Sequence, residues 1–430
     1  MSAAAIQMTM SNHQDSLQPI SPATAMLTIA SPARATKGRT ALMDASRKGD
    51  LPELARLLPS SDVFATDAKG RSALMHALQG FEEPQAGSAA NLILAAERLR
   101  RTGNHAETAA RTGHAMQKAA SLGLDGFVQA CAQSLLNDVL DDELLQGMLE
   151  KALFSAAGAG SMACCRIMID AGATGAWRDD RGHGAAMKAV EAQSLECLLA
   201  IAETGKSRLA EPNRAGITPL MIAARRGRVD LIQALLPSGG AKQRSSGGES
   251  ALARAAARDA LECMQALLPH SNAGARDRQG GTALMRCASR GFLPGVLLLA
   301  SMDGARSVDR QGNDAFMIAM QRGHQDCAKA LLSTSTPGMV NRDGLNAFDF
   351  AHTPELMALA VESFLTGAQS THSEQARAKR MWKKALDRRP QDERALASAH
   401  FHAAFERLAL DLASAPDGKP CQPRAAKRRL

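Results

Sequence analysis

The chain has 430 residues and a formal net charge of +8; 45 % of its residues are hydrophobic, but only 3 % are aromatic and none is Tyr. A core so poor in rings must be filled by Ala, Leu, Ile and Met, which favours closely packed helices over a β-sandwich. The lack of Tyr excludes tyrosine phosphorylation and tyrosine-lined binding sites.

The first 37 residues carry no structural signal. Residues 1–37 are rich in Ser, Thr, Ala and Met and show no periodicity, so we predict a disordered segment. Its only apolar stretch is bracketed by Pro22 and Pro32, and basic residues are scarce, which argues against a secretory signal. No run of about 18 apolar residues occurs in the chain, so no membrane span is predicted.

A short phrase then recurs along most of the chain. It is spelled GRTALM at its first occurrence and GITPLM, GGTALM or GNDAFM later. Its opening glycines are Gly38, Gly70, Gly182, Gly216, Gly248, Gly280, Gly312 and Gly344. From Gly216 onward every step is 32 residues. With two weaker units at 111–146 and 147–181, we predict about ten units, starting near 38, 70, 111, 147, 182, 216, 248, 280, 312 and 344.

Each clear unit contains a polar turn, a short apolar segment, a glycine and a second apolar segment, as in GITPLMIAARRGRVDLIQALL (216–236). In the second segment the apolar residues recur at i, i+3 or i+4 and i+7, which is the helical period. Gly227 suits a helix C-terminus because glycine accepts the left-handed conformation. Asp or Asn stands before most turns, where its side chain bonds its own backbone. We therefore predict helix-turn-helix units that bury their apolar faces by stacking.

These features resemble the ankyrin repeat family, whose units are about 33 residues long. The resemblance covers residues 38–366 and rests on the G-x-T-P-L or G-x-T-A-L opening and the A-A-x-x-G helix ending. It implies an all-α solenoid. The family's His after T-P-L is replaced by Met43, Met75, Met187, Met221, Met285 and Met317. Because the thioether is a flexible apolar filler, we expect looser hydrogen bonding between repeats.

The second and third units depart from this pattern. The stretch FEEPQAGSAANLILAAERLRRTG (81–103) carries an insertion before the second helix, and the third unit lacks a clear opening turn. We therefore regard residues 81–146 as degenerate and expect the array to bend or loosen there.

The C-terminal segment is predicted to be a basic helical hairpin at 367–413. Residues 373–389 form its first helix, Pro390 ends it, and residues 391–413 form the second. Its apolar seam consists of Trp382, Leu386, Leu396, Phe401, Phe405, Leu408 and Leu412. An end repeat needs a cover for its open apolar face, so the hairpin is expected to cap the array, although a ligand-binding role stays open. Residues 414–430 are predicted to be a flexible basic tail.

Residues capable of catalysis or metal binding are scarce. The eight cysteines contain no CxxC pair and are expected to be reduced thiols. Four share one column of the second helices: Cys164, Cys197, Cys263 and Cys327. Stacked helices lie roughly 8–10 Å apart, whereas a disulfide needs Cα atoms within about 7 Å, so these four are interpreted as buried hydrophobes. We predict no catalytic residue, no cofactor and no metal, and therefore not an enzyme.

Binding is the function that the resemblance implies, with partners docking on the loop tips and first helices along the concave side. Two columns of arginines stand there. The loop tips carry Arg214, Arg278, Arg310 and Arg342, and the ends of the first helices carry Arg226, Arg258, Arg290 and Arg322. These rows have two interpretations. The first is structural: cations at helix ends complement the helix dipole, and loop arginines pair with Asp277 or Asp309. The second is the hypothesis of an acidic partner held by bidentate Arg–carboxylate contacts.

The sequence thus predicts a monomeric, cytoplasmic interaction scaffold for a protein partner. The alternative is a nucleic-acid-associated or nuclear-targeted regulator that uses the basic C-terminal residues. These are Lys379, Arg380, Lys383, Lys384, Lys427, Arg428 and Arg429. Such runs grip phosphate or act as import signals, and Trp382 is available for base stacking.

Overall fold

The computed structural model describes residues 39–63, 65–78, 90, 93, 105–136, 142–205, 209–302, 306–334, 338–365 and 372–413. The predicted terminal segments 1–37 and 414–430 lie outside these residues, as does nearly all of the insertion at 81–103. The described part is all-helical and contains no β-strand. None of its helices is long and apolar enough to cross a membrane.

Most of the helices follow one another as antiparallel pairs. In chain order they are α1 (Ala41–Lys48), α2 (Leu51–Leu57), α3 (Ala73–Ala77), α4 (His105–Leu122), α5 (Asp125–Leu136), α6 (Asp142–Ala159), α7 (Met162–Asp170), α8 (Ala185–Glu191), α9 (Leu195–Thr204), α10 (Pro219–Arg226), α11 (Val229–Leu235), α12 (Ala251–Ala256), α13 (Leu261–Leu267), α14 (Ala283–Arg290), α15 (Leu293–Leu299), α16 (Ala315–Arg322), α17 (Gln325–Leu331), α18 (Pro354–Leu365), α19 (His372–Arg388) and α20 (Gln391–Ala413).

The recurring phrase fixes both ends of four first helices, α1, α10, α14 and α16. The hydroxyl of Thr218 accepts a hydrogen bond from the backbone N–H of Met221 at 3.2 Å and so caps the start of α10. Gly227 ends α10 in the left-handed conformation, with φ of 74°. Thr282 and Gly291 do the same for α14. The T-P-L and T-A-L openings are therefore N-caps, and the closing glycines are C-caps.

Stacking of units builds one continuous apolar core. First helices pack on neighbouring first helices and second helices on second helices. The methionines of the recurring phrase lie in this core, except Met75, which is half-buried. Large aliphatic side chains from the second helices, such as Leu231 and Leu267, are fully buried beside them.

Main-chain hydrogen bonds tie the loops of the regular units together, while the looser bonding expected from the methionines, relative to the family's histidines, stays a prediction. At five junctions a loop N–H donates to a carbonyl of the preceding loop, at 2.8–3.1 Å. The donor and acceptor pairs are Arg214 with Arg181, Ser246 with Ala215, Arg278 with Gly247, Arg310 with Gln279, and Arg342 with Gln311.

The two weak units have a different first helix. Both α4 and α6 have 18 residues, and the predicted unit starts at 111 and 147 fall inside them. The helices begin earlier because the segments HAETAA and DELLQ contain helix formers and no turn-forming Gly or Pro. Here a side chain replaces the main-chain tie. Glu150 of α6, 4 % exposed, accepts from the backbone N–H groups of Thr174 at 2.6 Å and Trp177 at 3.2 Å.

The unit predicted at 344 has one helix instead of two. Residues 347–350 form a turn, because Asn346 accepts from the N–H of Phe348 at 2.9 Å and breaks the helical pattern. The carbonyls of Phe348 and Ala351 then accept from Arg389 of the C-terminal hairpin, at 2.9 and 2.6 Å. The hairpin thus supplies donors that a first helix would have supplied itself.

An aromatic cluster joins that hairpin to α18. Trp382 and Phe401 stack with ring centroids 4.8 Å apart, and Phe348 packs edge-on against both. Of the predicted seam, Leu396 is wrong, because it is 63 % exposed on the outer side of α20. The side chain of Leu412 lies outside the described part.

The seven described cysteines are free and buried. The thiol of Cys197 is hydrogen-bonded to Cys165, the neighbour in sequence of its column mate Cys164. The pKa of Cys165 is raised by its hydrogen bond to the Cys197 sulfur and by burial. Among the described residues, no group of three His, Cys, Asp or Glu side chains is arranged to hold a metal ion.

Candidate functional site

The loop tips of the regular units are built by Asp and Asn side chains. Asp309 accepts from the backbone N–H groups of Gln311 at 2.9 Å and Asn313 at 2.8 Å, and Asp277 does the same for its own loop. At Gly280 φ is 80°, and a Cβ there would lie 3.0 Å from the backbone nitrogen of Arg310. Glycine is therefore required where one loop touches the next.

This geometry presents one arginine per loop. The four loop-tip arginines, Arg214, Arg278, Arg310 and Arg342, are all exposed. Their backbone N–H groups are held by the preceding loop, while their guanidinium groups form no ion pair with any described residue. The alternative pairing of loop arginines with Asp277 or Asp309 is absent from this part of the chain, because those carboxylates accept from the loop backbone and, for Asp277, from Arg286.

The helix-end row is also exposed but is not uniform. Arg226, Arg258 and Arg322 have no ion pair with a described residue. Arg290 differs, because it donates from two nitrogens to Asp259 of the preceding unit, at 2.8 and 2.6 Å. Sequence reasoning missed this pair, although Asp259 lies exactly one position after the Arg258 column. Arg290 is thus already engaged within the molecule.

The two rows meet at one groove, which we call the arginine groove. It lies between α14, α16 and the loops before them, with a volume of about 520 Å³. Its lining includes Asp277, Arg286, Asp309, Arg310, Gln321 and Arg322. A loop-tip arginine and a helix-end arginine therefore face the same space.

A third arginine column was missed at the sequence level. Arg254 and Arg286 each stand six residues after an opening glycine, and this common spacing was the available signal. Glu249 accepts from both at 2.8 Å, and Arg286 also donates to Asp277 at 2.8 Å. Burial lowers the pKa of Arg254, and the charge of Glu249 opposes that effect. The chain of ion pairs fixes the floor beneath the arginine groove.

The basic residues of the C-terminal hairpin are placed differently. Lys379, Arg380, Lys383 and Lys384 are exposed on α19. The suggestion that Trp382 stacks on a base is wrong, because this ring is 5 % exposed and lies between Phe401 and Arg389. Lys427, Arg428 and Arg429 lie outside the described residues.

Stacked helix pairs linked loop to loop define a helical repeat solenoid. Residues 187–277, 220–310 and 252–343 match the family model of ankyrin repeats in three overlapping copies. This chain is therefore an ankyrin repeat protein, with the matched repeats in residues 187–343. Ankyrin repeats are generally protein–protein interaction modules.

Solved structures of ankyrin repeat domains are similar to part of the chain. The domain of Bcl-3, a member of the IkappaB protein family, is 24 % identical, covers 50 % of this chain and 96 % of its own length, and has a TM-score of 0.44. The human ASB11 domain is 21 % identical, covers 53 % and 96 %, and has a TM-score of 0.43. A search of curated proteins found no match.

Proposed function

We propose that this protein is a non-catalytic scaffold that binds an acidic segment of a partner protein in the arginine groove. The observation that supports this most directly is the meeting of the two rows. Arg310 and Arg322 line one groove of about 520 Å³, and neither forms an ion pair with a described residue. A guanidinium group offers a planar pair of donors, which fits a carboxylate in two-point contact.

The acidic residues of the groove do not cancel this attraction. Asp309 accepts from two backbone N–H groups, and Asp277 accepts from two more and from Arg286. The backbone donors bind Oδ1 of each carboxylate, Arg286 binds Oδ2 of Asp277, and Oδ2 of Asp309 accepts only a longer bond of 3.4 Å from Asn313. Three arginines, Arg286, Arg310 and Arg322, stand against these two carboxylates in the lining. Arg310 and Arg322 are left as the donors that an incoming carboxylate would meet.

The test compares captured partners between matched variants of the full chain. The double variant Arg310→Glu/Arg322→Glu reverses the charge of two residues that line the arginine groove. The control variant Lys329→Glu reverses an exposed charge on α17, which is a second helix. We expect the captured amount of partners with acidic segments to fall at least tenfold with the double variant. With the control variant, the captured amount of the same partners should stay unchanged. Equal melting temperatures would show that the fold is kept. Retention of the same partners by the double variant would contradict the proposal.

A second candidate is phosphate binding by the basic face of α19. Lys379 and Lys383, and Arg380 and Lys384, are spaced i, i+4, so these four exposed cations cover neighbouring parts of one helix surface. With Trp382 buried, the contact would be to phosphate rather than to bases. It predicts binding of a labelled single-stranded DNA that falls steeply with salt and is lost in Lys383→Glu/Lys384→Glu. DNA binding that is insensitive both to salt and to the double substitution would exclude phosphate binding by α19.

A further inference from the structure

A second groove lies between the two long first helices α4 and α6, in the stretch where the repeat pattern breaks. Its volume is about 450 Å³, and it is open at the surface rather than enclosed. We call it the apolar groove; its main lining residues are Gly113, Glu143, Leu144, Gly147, Met148 and Lys151. It shares no residue with the arginine groove.

The floor of the apolar groove is shaped by two glycines with different roles. A Cβ at Gly113 would lie 2.7 Å from the Sδ atom of Met148, so this glycine lets α4 and α6 approach. A Cβ at Gly147 would meet no atom of a described residue within 4 Å. Glycine inside a helix lowers helix stability, and packing against the described residues does not require it at position 147. The missing side chain leaves room above the helix.

The α6 side of the apolar groove carries a negative charge at one end and a positive charge at the other. Glu143, Gly147 and Lys151 are spaced i, i+4, i+8 and therefore form one stripe of α6. Neither Glu143 nor Lys151 forms an ion pair with a described residue, and both are exposed. Eight residues of helix place the two charged positions about 12 Å apart. Leu144, 41 % exposed, and Met148 supply the apolar wall between them.

We propose that the apolar groove binds a short extended peptide segment of a partner protein, with a basic, an apolar and an acidic residue in that order along the stripe. The basic residue pairs with Glu143, the apolar side chain fills the space over Gly147, and the acidic residue pairs with Lys151. An open groove suits a chain that leaves at both ends, whereas small molecules favour sites that bury most of their surface. An extended chain covers about 12 Å with three or four residues.

The site differs from the arginine groove in position and in chemistry, so neither proposal depends on the other. The first step of the test selects peptides from a random library displayed on phage, against the full chain. We expect enriched sequences in which a basic and an acidic residue flank an apolar residue. Two or three residues should lie between the two charged residues. Failure to enrich any sequence, or enrichment of sequences without this charge pattern, would overturn the proposal.

The second step measures an enriched peptide by fluorescence anisotropy. Gly147→Trp fills the space, and Gly126→Trp is its matched control, because Gly126 lies on α5 and a Cβ there would also meet no described atom within 4 Å. We expect the Kd to rise at least tenfold in Gly147→Trp and less than twofold in Gly126→Trp and in Arg310→Glu/Arg322→Glu. Equal affinity for the two tryptophan variants would refute the assignment.

The third step exchanges charges. In the variant Glu143→Lys/Lys151→Glu, the original peptide should bind at least tenfold more weakly, and a peptide with its two charges exchanged should regain that affinity. Such rescue needs direct pairing and does not follow from a change in folding. Absence of rescue would show that Glu143 and Lys151 do not pair with the charged residues of the peptide.

Discussion

Neighbouring units are joined by different hydrogen bonds in two regions, the regular units at 182–343 and the long-helix units at 105–170. At five junctions of the regular units, one loop N–H donates to a carbonyl of the preceding loop, so this main-chain bond is repeated from unit to unit. In the long-helix units, Glu150 gathers N–H groups from residues 174 and 177. A main-chain tie tolerates most side chains, whereas a side-chain tie depends on one residue. The regular loops are therefore free to carry arginines.

The largest loss of stability is expected at Glu150, whose side chain alone makes the hydrogen bonds described between α6 and the loop after α7 at Thr174 and Trp177. Glu150→Ala removes the buried carboxylate that accepts from the half-buried backbone N–H groups of Thr174 and Trp177, and should cost about 3 kcal/mol of unfolding free energy. Urea unfolding monitored by circular dichroism measures the loss. Glu143→Ala on the same helix, where the side chain is exposed, is the control and should change little. Equal effects would break the contrast between the two regions.

In the regular units the sensitive positions are glycines at loop contacts. Gly280→Ala places a Cβ 3.0 Å from the backbone nitrogen of Arg310 at φ of 80°, and should cost about 2 kcal/mol. Gly323 has a similar φ of 76° but no described atom within 4 Å of a Cβ, so Gly323→Ala should cost about 1 kcal/mol. The difference between the two melting temperatures isolates the loop contact. A Gly280→Ala protein as stable as Gly323→Ala would show that the loops can separate without cost.

Side chains on the outer rows should matter less for stability. Arg290→Glu loses an exposed ion pair and places two carboxylates together at Asp259, so a loss below about 1 kcal/mol is expected. Arg322→Glu lacks such a partner among the described residues and should leave the melting temperature unchanged. Thermal unfolding of the two variants in parallel tests this. A larger loss in Arg322→Glu than in Arg290→Glu would mean that its contacts are not those described.

The smallest effect at neutral pH concerns Asp67. A hydrogen bond from Arg71, with further backbone and His76 donors, holds the pKa of Asp67 well below its usual range. Because the folded pKa is depressed, the stabilisation is complete above the ordinary carboxyl pKa of about 4 and is lost as the pH falls towards the folded value. Hydrogen exchange of residues 66–77 should quicken in acid relative to Asp67→Asn at the same pH. Identical pH profiles would contradict this.

The sequence predicted the regular part of the fold well because its signals are local. Thr218 and Thr282 cap helices, and Gly227 and Gly291 end them, within one unit of sequence. The weak units were placed several residues off because α4 and α6 have no capping phrase and simply continue the helix. At 344 the phrase was present, but Asn346 bonded its own turn, which periodicity does not reveal.

The candidate sites were less predictable because they depend on contacts between units. The arginine rows are visible as columns, but their meeting at one groove required the loop geometry. The pairing of Arg290 with Asp259 joins residues 31 apart, so no motif within one unit contains it. The apolar groove lies in the stretch with the weakest repeat signal, where Glu143, Gly147 and Lys151 gain meaning only once a single helix spans them.

The distribution of the rings gives the protein two internal fluorophores. Tyr is absent and only two Trp occur in the chain. Trp177, whose backbone N–H donates to Glu150, packs edge-on against Phe154, and Trp382 is enclosed in the C-terminal cluster. In Trp382→Phe the emission spectrum therefore follows the loop after α7 alone, and in Trp177→Phe it follows the hairpin alone. Stepwise melting of the solenoid can thus be tracked at two separate places without attaching a dye.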